Sequence, residues 1–583
     1  MSRDMDSLDR IVDDAVRGRV SRRDFLRRAA ALGLSLPTAG AILAACGASA
    51  TQAPATAVPT TAPTTAPTTA PTTGPTAAPT AAPTPAGPTT GGTLIFARQA
   101  EPASLLPCGA KGAADNASIW ALPAIFDQLV QVKDADTPQA GLAESWEVAP
   151  GGLSATFKLR DATFSNGDPV TAEDVAWSMG RFIDPNVNSF YAGVAGSFKS
   201  CTVVDPKTVK IEMKRVDGAM LDALAMFVPS ILPKKYFESL GADEEARQTA
   251  FAEKPVGSGP FMLKSWTRGQ SLELVRNPNY WRAGQPYLDG LTFLYLPDDN
   301  TRLLKLKSGE AHIAADVPYN QLDATAKTEG LGVLLESIAG WKGIWFNDAL
   351  KPFDDKNFRL ALNYATPKEA ILQSVLFNAA DIANSVIARV KYTDPAVPSY
   401  PYDMEKARAA IAASSVATGY ECAFVIVAGD AVEKQIAEIL QAEWAKIGVK
   451  IKIEPVDVAT IWERYGGMQE ANVFTFPGSF LSSDTLSEDN LAFVFFDPAG
   501  GASSFFTNYN NPAVVALIAE LGGSLDEAKR KETFVKIQKQ TMEDAPNVPM
   551  YFTKARTGLS TKVKGFKTQK SGWWKFEDVS LES

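Results

Sequence analysis

The chain has 583 residues, of which 45% are hydrophobic and 21% charged, and 57 Lys and Arg stand against 66 Asp and Glu. A formal charge of −9, with no basic run interleaved with aromatics, argues against a nucleic-acid partner. A single histidine, His312, excludes a multi-histidine metal site.

The N-terminal region reads as an address rather than as fold. Ser21-Arg22-Arg23-Asp24-Phe25-Leu26-Arg27 has the form of a twin-arginine export motif, with Arg22 and Arg23 as its pair. Residues 29–45 are modestly apolar but interrupted by Ser35, Pro37 and two glycines, so a permanent spanning helix is the weaker reading. Leu43-Ala44-Ala45-Cys46-Gly47 has the form of a lipobox. Residues 1–45 are therefore expected to be a bacterial export signal, with Cys46 lipidated as the mature N-terminus. Acyl chains contribute about 0.8 kcal/mol per buried CH₂, so several on one Cys hold a domain at the outer face of the cell membrane. Within the linker that follows from 46 to 90, the chain from Thr51 to Thr90 is almost only Ala, Pro and Thr around a repeated Ala-Pro-Thr-Thr unit. Such a stretch cannot bury a core and is expected to be a disordered stalk, extended by its prolines.

Residues 91–583 are too many for one core and enough for two lobes. Without the signal region this chain keeps 49 basic and 60 acidic residues, a formal −11. Leu153, Ala155, Phe157 and Leu159 alternate with polar residues, which predicts a strand with one buried face. Thr171 with Asp174 predicts a capped helix that turns Val175, Met179 and Phe182 inward. Thr366, Pro367 and Glu369 read as a full capping box. Asp430 with Glu433 opens a helix striped by Val432, Ile436, Ile439, Leu440, Trp444 and Ile447; Gly448 ends it, and Val449, Ile451 and Ile453 start a strand. Trp444 is read as core. Thr460 with Glu463 predicts a short helix, 472–476 a strand, Asn511-Pro512 and Asp526 two further helix starts, and 548–552 a strand after Pro546. Phe493, Phe495, Phe496, Phe505 and Phe506 are read as core, and Trp573-Trp574 as packing. This order of elements predicts a mixed α/β fold, sheets covered by helices.

The chemistry is mostly negative. The sequence holds no Cys-x-x-Cys, no Gly-x-Ser-x-Gly, no phosphate-binding loop and no dinucleotide fingerprint. His312 sits where a helix ends and a strand begins, and is read as structural. After Cys46 only Cys108, Cys201 and Cys422 remain, so at most one intramolecular disulfide can form; buried free thiols are expected in preference to a Cys108–Cys201 bridge. No catalytic set emerges, no metal and no cofactor is expected, and an exported enzyme is the disfavoured alternative.

Three ordered blocks carry a resemblance. The first is Leu142-Ala143-Glu144-Ser145-Trp146 with Phe157-Lys158-Leu159-Arg160 and Thr171-Ala172-Glu173-Asp174-Val175. The second is Pro255-Val256-Gly257-Ser258-Gly259-Pro260-Phe261, then Arg276-Asn277-Pro278-Asn279-Tyr280-Trp281 and Lys307-Ser308-Gly309-Glu310. The third is Phe346-Asn347, Pro352-Phe353-Asp354-Asp355 and Arg359-Leu360-Ala361-Leu362-Asn363-Tyr364-Ala365. Together they resemble the extracytoplasmic solute-binding proteins of ABC importers, in the oligopeptide/dipeptide-binding group (family 5 type). The resemblance implies a two-lobed, hinged, periplasmic-binding-protein-like α/β fold. Its first lobe would be discontinuous, 91–340 plus 548–583, with an extra subdomain at about 135–255; the second would be 341–547. It also implies a monomer that closes on a ligand and presents it to permease subunits.

The ligand is less legible. Peptide binders of this group hold backbone by strand-like pairing, and many place an Asp against the peptide amine. Asp484 falls near that place, although the family's Trp and Asp-Pro neighbours are missing from 476–485. Other members stack sugar rings on Trp, for which Trp341, Trp345 and Trp462 are candidates, and Trp345 with Asn347 is the best pair because the crossover passes the cleft. Peptide is the first expectation, and oligosaccharide or another organic solute the alternative.

Overall fold

Alternating apolar residues and well-capped helices build three main sheets. The computed structural model describes residues 88–583 apart from 114–115, 133–137, 190, 386–391, 393–396, 398, 417–418, 458–459, 461–472, 475–476, 482–487, 500–506, 571, 573 and 583. Arg22, Arg23 and Cys46, the helix expected at 460–463, Phe505 and Phe506 lie outside these residues, as do Trp462, Asp484 and Trp573.

The largest sheet has nine strands. Thr93–Arg98 runs parallel to both Gly290–Tyr295 and Ile313–Ala314, and Ser271–Arg276 and Phe261–Thr267 extend the same edge. The sheet is continued by two long antiparallel strands, Leu331–Trp345 and Asn547–Ser560, paired from Leu331 with Ser560 to Trp345 with Asn547. Beyond them lie Pro477–Leu481 and Asp381–Ile382. The long pair is thus a ribbon joining two halves, and the strand expected at 548–552 is only part of it. Its register shifts between Ser337 and Trp341 and between Lys342 and Gly343. Extra residues at such shifts bend a strand and raise its twist.

A separate four-stranded antiparallel sheet holds Ala143–Val148, Ser154–Leu159, Thr208–Met213 and Phe198–Asp205 in that spatial order. Ala155, Phe157 and Leu159 are buried as the alternation required, but Leu153 lies just before the strand and is exposed. The helix Ala172–Ile183 covers this face with Val175, Met179 and Phe182, and its capping box at Thr171 and Asp174 is complete. A third sheet is parallel, with Glu421–Val427 between Lys450–Val456 and Val473–Phe474. The helix Ala431–Ala445 packs on it through Ile436, Leu440 and Trp444, whose indole Nε1 donates to Thr366 Oγ1 at 3.3 Å. Val432 and Ile439 are only partly buried. Gly448 ends the turn at φ +82°.

The capping box expected at Thr366 does not form. The helix there is Lys368–Ser374 with Pro367 at its cap position, and the buried Thr366 hydroxyl donates back to Leu362 O at 2.7 Å. That bond and the Trp444 indole use the hydroxyl inside the core, so none is left for a cap. The helices Pro512–Gly522 and Glu527–Asp544 start on Asn511 and Asp526 as expected, and Phe534, Ile537 and Met542 are buried. Phe495 and Phe496 are core, but Phe493 on the same helix is 38% exposed.

Cys108, Cys201 and Cys422 are free thiols, Cys201 only half-buried. His312 Nδ1 accepts from the Ile95 N–H at 3.0 Å; burial first, then Lys562, hold its pKa below the usual value, so it ties a helix end to the central strand as a neutral ring. The turn at Gly257 and Gly259 packs so closely on Ile125 that an added Cβ would meet its carbonyl oxygen at 2.1 Å and its carbonyl carbon at 2.5 Å. Both are scaffold positions, as the sequence suggested.

Two buried ionisable groups carry consequences for stability. The Asp127 carboxyl accepts from Trp281 Nε1 at 3.0 Å and Ser258 Oγ at 3.3 Å, and burial raises its pKa to about 6. A carboxyl whose folded pKa exceeds its unfolded value stabilises most at low pH, and the contribution is lost as pH rises toward 6. Asp127→Asn should therefore be more stable than wild type at pH 7.5 by roughly 3 kcal/mol, with the difference vanishing below about pH 4; melts across that range test it, and a pH-independent difference contradicts it. On the ribbon, Lys342 Nζ meets Glu433 Oε1 at 3.0 Å, with Glu433 almost fully buried. Burial pulls the ammonium pKa down, but Glu433 and Asp430 together outweigh this and leave it raised. Glu433→Gln leaves the partly buried ammonium with Asp430 as its nearby carboxylate and should cost up to about 3 kcal/mol, while adding Lys342→Met should recover much of the loss; equal melting of the single and double variants contradicts this.

Candidate functional site

A cavity of about 1000 Å³ lies where the ribbon meets both halves of the molecule. Gln99, Trp120, Tyr319 and Trp574 line it from the side of the first strand; Lys342, Tyr551, Thr553 and Arg556 line it from the ribbon; Phe377, Asp430 and Gln435 line it from the opposite side. Each position follows from local structure. Gln99 is the residue after the strand Thr93–Arg98, where the chain leaves the sheet. Trp120 stands on the short helix Asn116–Ala121. Asp430 caps the helix Ala431–Ala445 by accepting from the Val432 and Glu433 N–H groups at 2.9 Å.

The cations at this cavity are largely engaged by the protein itself. Arg302 donates to the carbonyls of Ala315, Leu296 and Pro297 at 2.7–2.9 Å. Arg556 donates to Val317 O at 3.0 Å and lies 3.9 Å over the Tyr319 ring. Lys554 pairs with Asp381 at 2.7 Å. The fully buried Arg98 guanidinium lies 4.6 Å from the Trp120 ring and 4.8 Å from the Trp574 ring, and the two indoles are 5.3 Å apart. This cation–π packing fixes an aromatic wall on the cavity.

Several neutral polar atoms on the lining residues are unpaired. Gln99 Oε1, Thr553 Oγ1 and Thr568 Oγ1 are buried and make no hydrogen bond within the protein, and all three residues line the cavity. A buried polar atom without a partner costs about 1–3 kcal/mol. Three residues that line one cavity thus carry an oxygen that the protein leaves unpaired, and Trp120 and Trp574 on the same lining each carry an unpaired indole N–H. The arrangement can bind and orient; among the described residues no cluster of His, Cys, Asp and Glu could hold a metal ion.

The structure places the sequence candidates differently. Trp341 and Trp345 are each 1% exposed, with rings 5.0 Å apart and packed on Phe495 at 6.3 and 5.6 Å. Successive residues of a strand face opposite sides, and while Lys342 turns to the cavity, Trp341 and Trp345 turn into a hydrophobic core. Asn347 is 3% exposed, and its Oδ1 accepts from Ala349 N at 3.1 Å and Asn508 Nδ2 at 3.2 Å, which holds the turn after the ribbon. None of the three lines the cavity. The strand Pro477–Leu481 pairs with the ribbon up to Gly340, two residues from the cavity-lining Ile338. Sequence reasoning missed Gln99, Trp120, Thr553 and Thr568, and took Trp574 for packing alone. Only the Trp pair offered a signal; a Gln after a strand and two Thr offer none.

Comparison with known proteins gives this geometry its context. The family model "Bacterial extracellular solute-binding proteins, family 5 Middle" matches residues 137–498. Heme-binding protein A of Haemophilus influenzae is 30% identical over 489 residues, covering 79% of this chain and 87% of that protein. Di/tripeptide-binding protein 1 of Pseudomonas aeruginosa is 28% identical over 519 residues, covering 84% and 94%. The periplasmic binding protein DppA of Helicobacter pylori, solved in complex with the peptide STSA, superposes with a TM-score of 0.74 at 25% identity, covering 85% of this chain and 99% of that one. With 62% of its length inside the matched region and a two-lobed α/β architecture to correspond, the chain belongs to the bacterial extracellular solute-binding proteins of family 5.

Proposed function

We propose that this protein captures a short peptide in the cavity at the ribbon, closes on it, and delivers it to the permease of an ABC importer. The observation that carries this reading is a cavity at the upper end of small-ligand site volumes whose lining residues hold unpaired polar atoms, oxygens on Gln99, Thr553 and Thr568 and indole N–H groups on Trp120 and Trp574. Carboxamide and hydroxyl oxygens accept from any peptide N–H, so they bind backbone without choosing side chains. The names of the Pseudomonas relative and the Helicobacter complex support the same class. The Trp120 and Trp574 wall favours a second reading, a solute with a flat or apolar ring face such as an oligosaccharide. An enzymatic role has no residue set to support it.

The remaining parts of the proposal concern placement. Residues 1–45 would direct export through Arg22 and Arg23, Cys46 would carry the lipid, and 46–90 would space a monomeric binding domain from the membrane. The first lobe would be 91–340 plus 548–583 and the second 341–547. Asp484 would receive the peptide amine, and Trp462 would add an aromatic face.

Native mass spectrometry of the 91–583 fragment from its own cells should show bound masses that resolve into peptides; a hexose or pentose ladder would replace the peptide reading with the second one. Asp484→Ala should weaken a peptide with a free amine at least tenfold and leave its N-acetylated form unchanged, and equal affinities would remove the anchor. Replacing Arg22 and Arg23 by Lys should block secretion; undiminished secretion would sink the twin-arginine assignment.

A further inference from the structure

A second contact joins the two halves without using any residue of the ribbon. The Gly218 N–H, in the loop after the four-stranded sheet, donates to the Gly522 carbonyl at 3.0 Å. Gly522 ends the helix Pro512–Gly522, at the turn into the helix Glu527–Asp544. The approach is close enough to require glycine. A Cβ on Gly218 would lie 1.9 Å from an Arg530 guanidinium nitrogen and 2.3 Å from the Ser524 carbonyl oxygen. Beside it, a Cβ on Gly152 would lie 2.8 Å from Leu525 Cδ1.

Both surfaces are organised by their own side of the molecule. Arg530 is 3% exposed, and its Nη1 donates to the Leu521 and Ser524 carbonyls at 3.1 and 3.3 Å, fixing the turn between the two helices. Asp217 accepts from the Ser197 hydroxyl and from the Ala219 N–H, fixing the loop that presents Gly218. The contact itself is not core. Leu525 is 52% exposed, and a cavity of about 570 Å³ remains between the surfaces, lined by Val194, Met226 and Asp217 on one side and Phe493, Ile518 and Asp497 on the other. One backbone hydrogen bond with a few apolar neighbours shifts an equilibrium severalfold and does not lock it.

We propose that the contact of Gly218 with the Gly522–Leu525 turn is a releasable closure latch, through which the sheet-bearing insert of the first lobe holds the closed state in concert with the ribbon. The latch gives that insert a function that the solute cavity does not require of it. It depends on lobe closure and not on which solute is bound, so it stands or falls separately from the peptide reading.

Hydrogen exchange on the full-length chain without added solute tests it first. The Gly218 amide should exchange at least about tenfold more slowly than a solvent-exposed amide, yet faster than Val209 in the adjacent buried strand. Exchange at the free rate would mean that no contact forms, and exchange in step with Val209 would mean a fixed joint; either overturns the proposal. The three atoms nearest to a Cβ at Gly218 all belong to the second lobe, so Gly218→Val should fold with an unchanged melting profile and show a larger radius of gyration by X-ray scattering. An unchanged radius overturns the latch. If that variant fails to fold, Leu525→Asp is read by the same scattering measurement with the same two outcomes.

Discussion

The structure depends on one interaction: the pairing of two β-strands, Leu331–Trp345 and Asn547–Ser560, that joins the bodies at their two ends. A ladder of backbone hydrogen bonds resists separation but tolerates twist, and the register shifts near Trp341 and Gly343 concentrate that tolerance at mid-ribbon. The alternation of side chains then assigns each face a task. One face drives Trp341 and Trp345 into a core that anchors the second lobe, and Lys342 on the other side is pinned to Glu433 at the edge of the cavity. A rigid anchor beside a bendable ladder is what a hinge requires.

The cavity follows the same economy of charge. Lys342, Lys554, Arg302 and Arg556 all line it, and each is engaged by a carboxylate, a carbonyl or a ring of the protein. Buried charges are stable only when paired, so these cations shape the walls and give little of their field to a solute. The unpaired buried atoms on its lining residues are neutral: an amide oxygen, two hydroxyls and the indole N–H groups of the wall set by Arg98. Such a surface offers acceptors and donors to polar backbone or hydroxyl groups, and Asp298, Asp299, Asp316 and Asp430 also line it.

Much of the fold could be read from local chemistry. The capping box at Thr171, the helix opened by Asp430 and ended at Gly448, and the buried alternation of Ala155, Phe157 and Leu159 are each decided within a few residues. Thr366 misled because a buried hydroxyl finds partners in Leu362 and Trp444 that no local pattern reveals. The site was less legible for a similar reason. Trp345 was favoured because it lies on the crossover, but a one-residue step on a strand decides between cavity and core, and only the three-dimensional register shows which way each side chain turns. Gln99 and Thr553 matter because other residues leave them unpaired, a property that does not exist in the sequence alone.

Solute capture by closure about the ribbon is the central claim, and an interlobe distance tests it most directly. Spin labels at Lys158 and Lys434, both well exposed and on opposite bodies, would be measured by double electron–electron resonance in protein that retains its copurified solute and in the same protein after stripping. The account predicts a shorter, narrower distance distribution with solute and a longer, broader one without it. A single distribution that does not respond to stripping would contradict it.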